Sequence, residues 1–128
     1  MLPLSSAGGP TEIDETEQYG NNPKYDQVTL HGAGGRFIFH GYPLTGVTKD
    51  LTWDFHTYGV LITGAGTPSA QICAYFDERQ LKCIPMPSTV ASNPWSLMLE
   101  LASGGGWVTN APPSNQYDLF INWVGVWR

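Results

Sequence analysis

Glycine and proline punctuate this chain so densely, 15 and 10 times in 128 residues, that long helices have little room to form. No segment between them carries a 3.6-residue apolar period, while aromatic and β-branched residues recur in runs of strand length. Residues 28–31 and 36–42 read as a hairpin around the glycine-rich loop 32–35, and 53–63 as a further strand. Residues 71–76 and 80–84 read as a second hairpin around Asp77-Glu78-Arg79. In 96–102, Leu97, Leu99 and Leu101 alternate with Ser96, Met98, Glu100 and Ala102, and 117–127 reads as a closing strand. The length allows one domain over 1–128, and short strands at this spacing make it all-β, of the sandwich or jelly-roll kind.

Charge excludes several partners. The formal balance is −5, and the six basic residues are scattered singly from Lys24 to Arg128, so phosphates find no cationic track and no nucleic-acid partner is expected. No apolar run approaches the roughly 18 residues of a membrane span, so no membrane partner is expected either. The start, Met1-Leu2-Pro3-Leu4-Ser5-Ser6, has neither the charged nor the apolar region of an export signal. Serines lack the context of a nucleophile elbow, and Gly104-Gly105-Gly106 does not open a helix as a phosphate loop would. His31, His40 and His56 lack the compact spacing of metal ligands and read as structural, so no metal site is expected. Trp53, Trp95, Trp123 and Trp127 read as packing residues. Cys73 and Cys83 lie across from each other if the second turn centres on Glu78, whereas a slip of one residue would send the sulfurs to different faces.

The sharpest chemistry is acidic. Glu12, Asp14, Glu15 and Glu17 crowd four carboxylates into residues 12–17, with apolar Ile13 among them. On a regular strand Glu12 and Asp14 share a face and Glu17 takes the other. One β-bulge between Asp14 and Glu17 reverses that, lining up Glu12, Asp14 and Glu17. Neighbouring carboxylates cannot all ionise freely, so one of them should hold its proton toward neutral pH. Two carboxyl groups about 5–5.5 Å apart are the layout of a retaining glycosidase. The same run also reads as a solvated acidic face.

Taken with other segments, the cluster resembles glycoside hydrolase family 16, the group of laminarinases, lichenases, agarases and carrageenases. Glu12-Ile13-Asp14-x-x-Glu17 matches its E-I-D-x-x-E signature in the bulged form, preceded by Leu2-Pro3 at the place of a strand end. Asp54-Phe55-His56-Thr57-Tyr58-Gly59-Val60 resembles the F-H-x-Y strand, and Ala74-Tyr75-Phe76-Asp77 the Y-x-D-G hairpin. Pro94 through Trp107 resembles the P-x-x-L-x-x-N-L-A-x-G-G-x-W segment, and Leu119 through Trp127 the closing I-D-Y-V-R-V-Y strand. These matches follow one order along nearly the whole chain.

The resemblance implies a concanavalin-like jelly roll of two antiparallel sheets and a retaining, endo-acting hydrolase of a β-linked polysaccharide, β-1,3-glucan-like in the first instance. It implies Glu12 as nucleophile, Asp14 as its hydrogen-bonding helper and Glu17 as acid/base, with Trp107 stacking on a sugar ring and His31 and Glu100 lining the cleft. It also implies a secreted or periplasmic location and no cofactor. Glu15 and Thr16 stand where the family carries apolar residues, directing a charge toward the packed side of the strand. Asp77-Glu78 lacks the usual turn glycine, Glu100 replaces a neutral amide, and Asn122 replaces an Asp that in some members contributes to a structural calcium site, so calcium is not expected. The resemblance further implies that the first half of the jelly roll lies outside this chain. A second chain, a swapped copy or that missing N-terminal half is therefore expected to complete the sheets. The alternative function is a non-catalytic carbohydrate-binding module of the same fold; a structural β-sandwich would account for the composition but not for the ordered motifs.

Overall fold

The computed structural model describes residues 1–3, 12–31, 36–41, 50–87, 94–102 and 116–127. Among these the fold is all-β and antiparallel: β1 (Leu2–Pro3), β2 (Glu12–Glu17), β3 (Asp26–His31), β4 (Arg36–Gly41), β5 (Tyr58–Thr63), β6 (Gln71–Phe76), β7 (Arg79–Pro85) and β8 (Trp95–Ser96). They form the sheets β2-β3-β4 and β5-β6-β7 and the short pair β1-β8. Strand alternation selects the core. Ile13, Val28 and Leu30 point inward from the first sheet and meet Ala70, Ile72, Ala74 and Met86, with Val60, Ile62, Ile84 and Trp95 packed around them. Central β3 is covered on both sides, since Gln27 and Thr29 on its other face are buried as well. The site described below lies on that second face.

The β6-β7 hairpin closes through Asp77 and Glu78, with φ of 46° and 64°. Positive φ at both central residues is what a two-residue turn matching the strand twist demands, here without glycine. Asp77 also ties the preceding loop down. Its carboxylate accepts the Thr57 N–H and pairs with His56 Nδ1, each at 2.9 Å, while its own N–H donates to the Thr57 carbonyl at 2.9 Å. The backbone ahead of Tyr58 is thereby engaged with the turn rather than with a ladder. The strand expected over 53–63 accordingly begins at Tyr58, and Trp53 and Phe55 are exposed instead of packed.

This turn centres between Asp77 and Glu78, so unbroken pairing would set Cys73 opposite Lys82. Leu81 is the surplus residue that corrects the count, because the register shifts between Ala74↔Lys82 and Tyr75↔Gln80. Cys73 therefore faces Cys83, and the two form a disulfide. The bridge closes a short loop, so Cys73→Ala/Cys83→Ala should lower the unfolding free energy by about 2 kcal/mol in urea titrations. Coincident curves for parent and variant would mean that the hairpin alone constrains the chain as strongly.

Toward the C-terminus the sequence expectation does not hold. Among the described residues from 94 onward only Trp95 and Ser96 pair, with Pro3 and Leu2, and no ladder runs through 97–102 or 116–127. Leu97, Leu99, Leu101, Leu119, Ile121, Trp123 and Trp127 are exposed. Apolar alternation chooses a face only when a neighbouring strand takes the backbone hydrogen bonds, and no described residue offers these segments that ladder.

Candidate functional site

The site grows from the register between β2 and β3. Glu12 faces His31, Asp14 faces Thr29 and Glu17 faces Gln27. Between the last two pairs β2 advances three residues and β3 two, which is the irregularity the carboxylate spacing calls for. Ile13, opposite Leu30, points into the core, so Glu12, Asp14 and Glu17 all emerge on the far side of the sheet. His31, Thr29 and Gln27 join them there, because cross-strand partners share a face.

Each of these acids has a different environment. His31 Nε2 lies 2.7 Å from Asp14 Oδ2, an ion pair whenever the imidazole is protonated. Glu17 is held from three sides: Oε2 accepts from Gln27 Nε2 at 3.0 Å and Thr29 Oγ1 at 2.9 Å, and Oε1 from the Tyr19 hydroxyl at 3.2 Å. Gln27 also donates to Thr29 Oγ1 at 2.9 Å, so the donors are themselves fixed. Tyr19 stacks on Tyr25 with ring centroids 5.9 Å apart, forming an aromatic wall beside Glu17. Burial, followed by the adjacent Glu17, pushes the Tyr19 hydroxyl up to about 12, so it remains a donor at neutral pH.

Among the described residues, Glu12, Asp14 and His31 could together hold a metal ion, since each presents a ligand atom within 4.8 Å of the others. Histidine spacing alone does not reveal this grouping, because His31 meets two carboxylates across a strand pair rather than another histidine.

The inner side of the bulge carries its own polar set. Glu15 is partly buried near β5, where the Val60 N–H bonds to its carboxylate and burial raises its pKa. Thr16 Oγ1 donates to Asp26 Oδ1 at 2.6 Å. Asp26 is 1% exposed and takes two further hydrogen bonds, from the backbone N–H groups of Gln27 and Glu17. The inward charge signalled by Glu15 is thus present. Asp26 belongs to none of the sequence motifs, although its parity with Val28 and Leu30 marks it as inward-facing.

Of the remaining expected site residues, His31 joins the carboxylates, while Glu100 is exposed in 97–102, with no interaction among the described residues linking it to them. Trp107 lies outside the described residues. No protein-family model, curated protein or solved structure matches this chain.

Proposed function

We propose that this chain is a retaining, endo-acting glycoside hydrolase acting on a β-linked polysaccharide, β-1,3-glucan-like in the first instance, on a jelly-roll scaffold. The observation that carries the reading is the shifted register, which directs Glu12, Asp14 and Glu17 to one face turned away from the core. A polymer lying along that face can meet all three without displacing packed residues. In the first step the Glu12 carboxylate attacks the anomeric carbon while Glu17 gives a proton to the departing glycosidic oxygen. In the second, Glu17 takes a proton from water and that water releases the sugar from Glu12. Asp14, anchored by His31, orients Glu12 and substrate. The Cα atoms of Glu12 and Glu17 are about 13 Å apart along the strand, so the productive state has both side chains leaning toward Asp14.

One observation favours the second reading, a carbohydrate-binding module of the same fold. Three donors already occupy Glu17, an arrangement that also suits a carboxylate with only a structural task. Reducing-end release from laminarin, lichenan and agar separates the two: release supports the hydrolase, whereas laminarin binding without release supports the module.

The disulfide suits an oxidising compartment and so supports a secreted or periplasmic site of action. The apolar residues left exposed in 97–102 and 116–127 support a need for a second chain, a swapped copy or an N-terminal half-domain. Light scattering should therefore give a mass above the 14.0 kDa of one chain. A stable, monodisperse monomer would remove that requirement.

A further inference from the structure

We propose that Asp26 is the positioning residue for Glu17: from the packed face of the sheet it clamps the bulge of β2 and so sets where the Glu17 side chain emerges. The inference builds on the reading of Glu17 as the working acid but is tested without it. A bulge leaves backbone groups without ladder partners, and a buried N–H needs an acceptor. Asp26 supplies one from beneath, accepting from the Glu17 N–H, the Gln27 N–H and, at 2.6 Å, the Thr16 hydroxyl. Those contacts span both strands. They tie the backbone of Glu17 to that of Gln27, whose side chain grips the Glu17 carboxylate on the opposite face at 3.0 Å. One inward carboxyl group thus fixes both ends of the outward hydrogen bond.

The clamp tolerates a change of protonation. When Asp26 is ionised the Thr16 hydroxyl donates to it, and when Asp26 is neutral the same hydroxyl can accept a hydrogen bond from the carboxyl O–H. Its charge nevertheless varies near neutrality, because burial drives the carboxyl up to about 7 against the lowering effect of its hydrogen bonds. Glu17 on β2, Tyr25 just before β3 and Tyr58 on β5 are the titratable groups among the described residues that feel this charge.

The experiment follows backbone and side-chain amides by NMR in ¹⁵N-labelled parent, Asp26→Asn, Asp26→Ala and Thr16→Val, from about pH 5 to about pH 9. In the parent, the Glu17 and Gln27 amides should move together with a midpoint near pH 7. Asp26→Asn should abolish that midpoint while keeping Glu17 protected from exchange, since the amide oxygen still accepts. Asp26→Ala should speed exchange at Glu17 and Gln27 by about tenfold or more and shift the Gln27 side-chain amide, leaving β5-β7 protected. Thr16→Val should act in the same direction, more weakly, and serves if the alanine variant does not fold. Unchanged Glu17 and Gln27 exchange in Asp26→Ala and Thr16→Val, or a midpoint that persists in Asp26→Asn, would overturn the proposal. No glycan enters these measurements. A clamped Glu17 in a protein that releases no sugar therefore counts against the hydrolase alone.

Discussion

Glu12→Gln should reduce the release of reducing ends from laminarin to background, and Glu17→Gln should reduce it by about 10²- to 10⁴-fold. The two losses have different causes. An amide at position 12 cannot form the glycosyl–enzyme bond, so no later step rescues it. An amide at position 17 removes proton transfer to the leaving oxygen and then from water. A substrate whose leaving group departs unprotonated should therefore restore the first step in Glu17→Gln but not in Glu12→Gln. Neither variant should unfold, because both side chains lie on the face away from the core, and a glutamine at 17 keeps its carbonyl oxygen for Gln27 and Thr29 while its amide can donate to the Tyr19 hydroxyl. Equal sugar release by parent and both variants would remove the carboxylates from the mechanism.

The second large effect is a stability that declines as pH rises. Asp26 titrates at about 7 in the folded chain against an ordinary value of 3.8, so the folded state binds the proton more tightly than the unfolded state does. Stability from this group is complete below about pH 4, is lost as pH rises toward 7, and levels off above. Three pH units correspond to a loss on the order of 4 kcal/mol as an upper bound, tempered by relaxation around the charge. Glu15, also raised by burial, contributes in the same direction. Urea midpoints at acidic and mildly alkaline pH should thus fall in the parent and stay much flatter in Asp26→Asn. Parallel slopes would show that the buried carboxyl carries no such penalty.

Much of the site was readable because strand parity is strict. Glu17 lies five positions after Glu12, and an odd interval puts them on one face only if the backbone takes an extra step, which the register shows. The second hairpin was legible in its arms, but its disulfide was open: the pairing depends on Leu81, a residue whose bulged state nothing in the local sequence announces. The misreadings have different physical sources. Trp53 and Phe55 are apolar enough for a strand, yet Asp77 reaches across 20 residues to engage Thr57 and delays the ladder to Tyr58. The leucine alternation in 96–102 is equally clean, but a periodic pattern carries no information about whether a neighbour exists to pair with it. Asp26 and the His31–Asp14 contact were not foreseen as features of the site, since both depend on which residues two strands set side by side.

The bulge in β2 makes the face unequally tolerant of changes in chain length. Removing Thr16 would leave an even interval between Glu12 and Glu17, which on a regular strand keeps all three acids outward while abolishing the hydroxyl that bonds to Asp26. Adding a residue at the same point also makes the interval even, six in place of five, but a regular strand would then carry Glu17 two positions farther along β3, past Gln27 and the grip of its side chain. Deletions and insertions here are therefore not mirror images, and variation in length at this point should run toward the shorter form.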